Sequence, residues 1–231
     1  MWGKRFAAVI MAGLCCFLYL VISGKGSGDG IKEVSEYTDM NEGKKYYEKT
    51  VAVTFDDGPD RITTMKLLDG LKQRGIRASF FVIGENIEGN EDIIERMHNE
   101  GHIIGNHTYS HVELSKLSEG AAINEVQKTN DIIEDITGEP VKYIRPPCGS
   151  WDDRMLYDID LTPVFWSVDP MDWCTGSSSL VVSRVMSSVS DGDIILFHDI
   201  YDSSVTAALE VIDRLSAQGY RFVTIDDILI E

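Results

Sequence analysis

From Thr50 onward, short apolar runs alternate with stretches in which apolar residues recur every three or four positions. Residues 51–55 form a short apolar run that is typical of a buried strand, and residues 61–74 have a helical spacing that Gly75 ends. The pattern predicts further strands at 78–84, 102–107, 141–147, 161–169, 193–199 and 221–225, and helices at 91–101, 118–138, 178–189 and 205–219. Strand and helix therefore alternate about seven times.

This alternation predicts an α/β fold in which a parallel sheet is covered by outer helices, either open or closed into a barrel. The predicted strands are nearly continuous apolar runs, as expected when helices cover both faces of a sheet. We expect one domain over residues 50–231. In such folds, functional side chains collect at the carboxyl ends of the strands.

The first residues have a different character. Lys4 and Arg5 precede an apolar, uncharged run at 6–23, which as a helix spans roughly 27 Å, close to the hydrocarbon thickness of a membrane. The positive flank predicts a single-pass anchor at 1–23 with a cytoplasmic N-terminus and everything after it outside the cell. A cleaved signal peptide, and hence a secreted protein, is the alternative. Residues 24–49 are Gly-rich, then charged, which predicts a flexible stem.

The chain is strongly acidic. Its 38 Asp and Glu residues outnumber 21 Lys and Arg residues, so the formal net charge is -17. Such a surface repels nucleic acid, and it also disfavours binding to an anionic membrane through charge. We therefore exclude nucleic acid as a partner, while the sequence gives no indication of the oligomeric state.

Five of the predicted strands end on ionisable groups. In chain order these are Asp56 and Asp57, then His107 with His111, then Arg145, then Asp169 with Asp172, and finally His198 with Asp199. Because the carboxyl ends of parallel strands meet at one edge of a sheet, we expect these groups to converge there. This convergence is the strongest functional signal in the sequence.

His107 and His111 lie four residues apart, a spacing that in a helical turn places two imidazoles on one side, where they can hold a metal ion. A chance surface pair has the same spacing, but a strand-end acid is available as a third ligand. Two imidazoles and one carboxylate leave positions open for water and substrate. Adjacent residues of a strand point to opposite sides, so one of Asp56 and Asp57 can bind the metal while its neighbour serves as general base.

The other strand ends supply partners for this chemistry. Arg145 can form an ion pair with the general base. His198 is a candidate general acid, and Asp172 is a candidate for the carboxylate that orients it. Trp173 fits either a site wall or ordinary core packing.

The stretches TFDDGP, HTYSH, RPPCG, DPMDW and LFHD, in that order, resemble the five motifs of the polysaccharide deacetylases, carbohydrate esterase family four. The resemblance covers about residues 50–231. It implies a distorted (β/α) barrel with about seven parallel strands and a hydrolase that removes N-acetyl or O-acetyl groups from a polysaccharide and releases acetate.

The resemblance also implies a role for each matching residue. These roles are general base for Asp56, metal ligands for Asp57, His107 and His111, support of the base for Arg145, an oxyanion-binding backbone N–H for Cys148, support of the acid and lining of the site for Asp172 and Trp173, packing at the acetyl pocket for Leu196, and general acid for His198.

The donor set favours zinc as the divalent metal, although cobalt, nickel or iron also suit two imidazoles and a carboxylate. An anchored domain on a short stem suggests peptidoglycan amino sugars as the substrate. Oligomers of the chitin type and acetylated xylan remain alternatives.

One position departs from the family pattern, because Cys148 stands where family members usually have Tyr. The backbone donor survives this change. Cys148 and Cys174 both follow motif residues in a domain expected outside the cell, and we hypothesise a disulfide between them, which requires Cα atoms within about 7 Å. A free thiol, or an additional metal contact, is the alternative.

Two other classes of protein could share part of this pattern. An Fe(II) oxygenase also uses two His and one carboxylate, but the α/β alternation and the second acid disfavour it. A non-catalytic glycan-binding module on the same scaffold is disfavoured because base, ligands, Arg and acid are all present in the sequence.

Overall fold

The structure is a computed structural model that describes residues 49–151 and 159–229. In these residues the strands are β1 Thr50–Asp56, β2 Ser79–Val82, β3 Ile103–Asn106, β4 Tyr143–Ile144, β5 Thr162–Pro163, β6 Asp193–His198 and β7 Arg221–Val223. The helices of the same residues are α1 Thr63–Arg74, α2 Glu91–Asn99, α3 Glu119–Thr137, α4 Ser178–Ser188, α5 Asp202–Ala217 and α6 Ile225–Leu229.

All seven described strands run parallel in one sheet whose main order is β5-β4-β3-β2-β1-β6. Strand β1 is the centre of this arrangement. It pairs with β6 from Val51 to Asp56 along one edge. On its other edge, Thr50–Ala52 pair with β7 and Thr54–Asp56 pair with β2. The expected parallel α/β fold with about seven strands is therefore confirmed.

The sheet is curled. The segment that follows β5 leaves β4 and reaches the opposite edge, where Val168 forms a parallel bridge with Ile195 of β6. The backbone N–H of Leu196 donates to the carbonyl of Val168 at 3.0 Å. The two ends of the strand order thus approach each other, and the carboxyl ends of the strands surround one region.

Apolar packing on both faces holds this sheet. On one side of the strands, Phe55 stacks against Phe80 and Phe197 with ring centroids 5.3 and 5.9 Å apart. Outside the sheet, α1 and α4 pack against α5, and α2 packs against α3. Helix α1 ends where the pattern predicts, because Gly75 adopts a left-handed φ of 64° that few other residues tolerate.

Several predicted elements differ from the structure, and among them the strand predicted over 141–147 is regular only at Tyr143–Ile144. The strand predicted over 161–169 is regular only at Thr162–Pro163, because the ring of Pro163 removes a backbone donor and the chain then turns towards β6. The last strand ends at Val223, and a short helix that the pattern did not predict takes up Ile225. Helix α5 begins at Asp202, three residues before the predicted start.

The anchor predicted at 1–23 and the stem predicted at 24–49 lie outside the described residues, except for Lys49. Among the residues that the structure does describe, none of the helices is both long enough and apolar enough to cross a membrane.

Candidate metal-dependent active site

The strand register places the expected acid and base side by side. Asp56, the last residue of β1, is paired with His198, the last residue of β6. Two strands away, Asn106 of β3 is paired with Ile144 of β4, and the N–H of Arg145 donates to the carbonyl of Asn106 at 2.9 Å. Residues that follow these strands therefore converge at one end of the sheet, as the sequence predicts.

The side chains of the two adjacent acids, Asp56 and Asp57, point in directions that strand alternation did not predict. Strand β1 ends at Asp56, and Asp57 already has a left-handed φ of 77°. This turn directs both carboxylates into the same cleft instead of to opposite faces. The directions of the two side chains are therefore set by the backbone turn at Asp57. Asn86 supports this turn by donating from Nδ2 to the carbonyl of Asp57 at 2.8 Å.

Three side chains form a group that could hold a metal ion. The Nε2 atoms of His107 and His111 each lie 3.4 Å from Oδ1 of Asp57, and one possible ligand atom from each residue lies within 4.8 Å of the others. Oδ1 of Asp57 is buried and has no hydrogen-bond partner among the described residues. A buried oxygen without a partner is costly, and a divalent cation coordinated by the three groups would relieve that cost. The donor set thus fits a divalent metal.

The segment that carries the two histidines is an irregular loop, not the helical turn expected from their spacing. Thr108 and His111 both have left-handed backbones, with φ values of 65° and 55°. Oδ1 of Asn106 accepts a hydrogen bond from the N–H of Thr108 at 2.7 Å, which starts the loop. The imidazoles still come together, with ring centroids 5.0 Å apart.

The ring of His107 is oriented by a backbone group. Its Nδ1 lies 2.6 Å from the carbonyl of Arg145. A carbonyl can only accept, so Nδ1 donates its proton, and Nε2 is the ring atom that faces Asp57 and could bind a metal. Burial, followed by the charge of His107, lowers the pKa of His111 below its ordinary value. Its neutral, ligating form is therefore favoured.

The carboxylate of Asp57 is favoured in its charged form. Burial opposes ionisation, but its interactions with His107, His198 and His111 outweigh burial and hold the pKa of Asp57 below its ordinary value. A charged carboxylate between two imidazoles is the state that coordinates a cation.

The second acid is held by a buried arginine. Arg145 is 0% exposed and donates from Nη1 to Oδ1 of Asp56 at 2.8 Å and to Oγ1 of Thr54 at 2.7 Å. Its guanidinium also lies 4.2 Å from the ring centroid of Phe81. The other carboxylate oxygen of Asp56, Oδ2, lies 3.8 Å from Nε2 of His107. One oxygen of Asp56 is thus fixed by Arg145, while the other faces the metal group.

His198 forms the second ion pair of the cleft. Asp172 accepts from the backbone N–H of His198 with Oδ2 and contacts ring atom Nδ1 with Oδ1, both at 2.8 Å. Burial lowers the pKa of His198, but the hydrogen bond and charge of Asp172, with the charges of Asp56 and Asp57, outweigh burial and raise it to about 9. The ring is therefore an imidazolium at neutral pH, and its Nε2 is available as a proton donor.

Asp199 lies beneath this site and supports the turn after β1. Its N–H donates to the carbonyl of Asp56 at 3.3 Å, and it accepts from the hydroxyl of Thr64. A Cβ on Gly58 would lie 2.3 Å from Oδ2 of Asp199, so only glycine fits there. Burial is the main cause that raises the pKa of Asp199 to about 7. The sequence placed Asp199 at a strand end without giving it a role.

The expected substrate-side residues line the same cleft, whose volume is about 420 Å³. Trp173 is 52% exposed, which excludes the alternative that it is a core residue, and Leu196 is buried at the base. Trp166 and Tyr201 also line the cleft, although the sequence gave them no role. Tyr201 comes two residues after the predicted strand 193–199, which was the available signal, whereas Trp166 lies inside the strand predicted over 161–169.

Cys148 lines the cleft and has a left-handed φ of 56°. The hypothesised disulfide between Cys148 and Cys174 is wrong in this structure, since both thiols are free and exposed. The thiol of Cys174 instead donates to the carbonyl of Met171 at 3.1 Å. Within the described residues, the group of possible metal ligands also does not include Cys148.

All ten residues proposed from the sequence lie in or directly behind this cleft. Eight of them line it, whereas Arg145 and Asp172 lie behind it and hold Asp56 and His198. The arrangement places the carboxylate of Asp56 and the imidazolium of His198 in one cleft with three residues that could hold a metal ion. Such a combination can carry out general acid–base hydrolysis.

Comparison with known proteins gives a consistent picture. A family model described as polysaccharide deacetylase matches residues 43–163. A peptidoglycan-N-acetylglucosamine deacetylase of Bacillus cereus is 41% identical over 187 residues, which cover 78% of this chain and 68% of that protein. The peptidoglycan-N-acetylmuramic acid deacetylase PdaC of Bacillus subtilis is 40% identical over 181 residues, which cover 78% of this chain but only 39% of that protein. This chain therefore aligns with about two fifths of the length of PdaC.

Solved structures show the same similarity in three dimensions. The structure of PdaC from Bacillus subtilis superposes with a TM-score of 0.77 and covers 78% of this chain and 90% of that one, at 40% identity. A family 4 acetyl xylan esterase from Clostridium thermocellum, in complex with a cobalt ion, gives a TM-score of 0.74 at 33% identity, covering 79% of this chain and 91% of that one.

Proposed function

Because this chain belongs to the polysaccharide deacetylase family, we propose that it is a metal-dependent hydrolase that removes N-acetyl groups from the amino sugars of peptidoglycan. A single observation carries this proposal. Asp57, His107 and His111 lie close enough together to hold a metal ion, in the same cleft that Asp56 and His198 line.

The names of the relatives support the choice of substrate. The Bacillus cereus relative is named for N-acetylglucosamine and the Bacillus subtilis relative for N-acetylmuramic acid, both in peptidoglycan. Removal of the acetyl group from either sugar is the same reaction at the same kind of bond.

We assign Asp57, His107 and His111 as the metal ligands and zinc as the metal, with cobalt, nickel or iron as alternatives that accept the same donors. The cobalt ion in the Clostridium thermocellum esterase is in keeping with such a site. When bound, a divalent cation polarises the acetyl carbonyl and makes water more acidic.

The remaining steps belong to the side chains. Oδ2 of Asp56 accepts a proton from the attacking water, while Arg145 holds Oδ1 and prevents the carboxylate from turning away. His198 donates its Nε2 proton to the departing amine, and Asp172 keeps the ring in the required orientation and charge state. Asp56 and His198 lie on paired strands, so the acceptor and the donor act from neighbouring positions.

The substrate is bound by the walls of the cleft. In this proposal, the exposed indole of Trp173 packs against a sugar ring and Leu196 contacts the acetyl methyl group. The backbone N–H of Cys148 stabilises the oxyanion. A Tyr side chain in place of Cys148 would narrow the cleft.

We further propose that the domain acts on the outer face of the cell membrane, attached through residues 1–23. The basic flank and the apolar run of that segment support this location. A cleaved signal would instead release the same domain, and electrophoresis of the mature protein from cells distinguishes the two by size.

Acetate release tests the proposed reaction. The purified full-length protein is incubated with peptidoglycan, with acetylated chitooligomers and with acetylated xylan, and free acetate is quantified. We expect release from peptidoglycan, loss of release with a chelator, and recovery with zinc or cobalt. Identification of the deacetylated sugar by mass spectrometry then distinguishes glucosamine from muramic acid.

The variant Asp56→Asn should lose nearly all activity, while Asp135→Asn, on the exposed face of α3, should retain it. Full activity of Asp56→Asn would refute its role as base. Acetate from xylan alone would replace the proposal with an O-acetyl esterase. Binding of glycan without acetate release under any divalent metal would indicate a non-catalytic module.

A further inference from the structure

The loop from His107 to His111 carries two of the three proposed metal ligands in a strained backbone. Its left-handed residues, Thr108 and His111, each cost about 1–3 kcal/mol and persist only where their surroundings hold them. Backbone bonds supply part of that support, since the N–H groups of Gly84 and Glu85 donate to the carbonyls of Thr108 and Tyr109 at 3.0 and 2.9 Å.

The two imidazoles are not held equally. The ring of His107 is buried and fixed through the carbonyl of Arg145. The side chain of His111 is 39% exposed, and within the described residues its ring has no comparable hydrogen bond. The orientation of His111 therefore depends on the backbone of the loop that precedes it.

Glu125, in the second turn of α3, supports that backbone. Its Oε2 accepts from the N–H groups of Tyr109 and Ser110 at 3.1 and 2.9 Å. The hydroxyl of Ser110 also contacts both carboxylate oxygens, at 3.1 and 3.0 Å. One partly buried carboxylate thus holds the backbone N–H groups of the two residues directly before His111. Bonds of a charged acceptor are stronger than those of a neutral one.

We propose that Glu125 is a positioning residue of the metal site, which aims His111 at Asp57 by holding the loop backbone. The proposal rests on the metal site of the proposed function. Asn106 and Asn130 assist at the other end of the loop, because Nδ2 of Asn106 donates to Oδ1 of Asn130 at 2.7 Å. Helix α3 therefore supports the loop at both ends without contributing a ligand.

Metal affinity is the direct measure of this role. In Glu125→Gln, the amide keeps one acceptor oxygen but loses the charge and cannot accept at its nitrogen. We expect the dissociation constant for zinc or cobalt to rise about tenfold or more, as for other supporting contacts of metal ligands. Ser110→Ala removes only the hydroxyl contacts and leaves both backbone bonds in place, so a smaller increase than for Glu125→Gln is expected.

The experiment is a competition titration of the full-length, metal-free protein with a chromophoric chelator, together with the visible absorption spectrum of the cobalt form. Asp135→Asn on the same helix is the matched control and should bind metal as the wild type does. The thermal midpoint of each metal-free variant is measured in parallel. Weakened binding and an altered cobalt spectrum, with a metal-free midpoint near that of wild type, support the positioning role.

Three outcomes would overturn the positioning role or the metal site. If Glu125→Gln binds metal as tightly as wild type, with the same cobalt spectrum, the positioning role is wrong even though the metal site stands. If the wild type binds no metal, or binds it equally well after His107→Ala and His111→Ala, the proposed metal site itself fails. A fall in the metal-free midpoint with unchanged affinity assigns Glu125 a purely structural role.

Discussion

At the scale of single residues, the site depends on two ion pairs that differ in their exposure to solvent. Arg145 and Asp56 are almost completely buried, whereas His198 keeps part of its ring at the cleft. A buried charge that loses its partner is costly, while an accessible imidazole responds mainly through its pKa. Changes at the first pair should therefore affect folding, and changes at the second should affect the pH dependence of catalysis.

Replacement of Arg145 by Met should destabilise the protein, because the carboxylate of Asp56 would remain buried without its cation. We expect a loss of about 3–5 kcal/mol in the free energy of unfolding, measured by urea denaturation. The double variant Asp56→Asn, Arg145→Met removes both charges and should be more stable than the sum of the two single effects predicts. Strict additivity of the three values would show that the pair is not coupled.

Asp172→Asn should shift the pH dependence of activity. His198 acts in its protonated form, so activity falls as pH rises through its pKa, which Asp172 helps to raise to about 9. Without that charge the pKa falls, and the alkaline limb of the kcat profile should move to lower pH. The profile, with an NMR titration of the ring as a second readout, checks this. An unmoved alkaline limb would assign the limb to another group.

At the scale of elements, close packing at the strand ends fixes the ligands. Gly105 in β3 is packed closely by its neighbouring strands. A Cβ added there would be 2.6 Å from the ring of Phe81 and 3.1 Å from the carbonyl of Tyr143. His107 follows two residues later. Any shift of β3 therefore moves a proposed metal ligand.

Gly105→Ala should lower the free energy of unfolding by about 1–3 kcal/mol through overpacking and should weaken metal binding. Gly120→Ala is the matched control. Gly120 lies in helix α3, and a methyl group added there has no neighbouring atom within 4 Å. That variant should be neutral or more stable by about 0.5–1 kcal/mol. Thermal and urea unfolding of both variants give the comparison. Equal effects at the two positions would contradict the packing argument.

Sequence reasoning works best for elements whose local pattern agrees with their surroundings. The run before Asp56 and the helix before Gly75 need no tertiary information, because their periodicity and end signals are local. The loop after His107 could not be predicted in the same way. Its shape depends on Glu125, which is distant in sequence, and the spacing of two histidines carries no trace of that contact.

At the scale of the whole molecule, metal binding and folding should be linked, since the proposed ligands come from separate strand ends that meet only in the folded chain. The sequence could predict this convergence because the topology of parallel α/β folds is restrictive. It could not predict the free thiol of Cys148, because pairing of two cysteines depends on distances that only the tertiary structure sets.

Zinc at 100 times its dissociation constant should therefore raise the thermal midpoint by about 5–10 °C. A chelator should reverse the increase. His111→Ala should reduce the increase strongly, and Asp135→Asn should leave it unchanged. Differential scanning calorimetry provides the measurement, and an equal increase in His111→Ala would place the stabilising ion elsewhere.

The position of β1 between β6 on one edge and both β2 and β7 on the other has a consequence for how the site opens. Amide hydrogens of such a strand exchange with solvent only when the whole domain unfolds, whereas a surface loop exchanges through small local openings. Hydrogen–deuterium exchange should therefore be slowest in β1 and faster at Tyr109 and Ser110. The side of the cleft formed by β1 would then stay rigid, while the loop before His111 opens locally. A metal ion would therefore enter or leave on the side of His111.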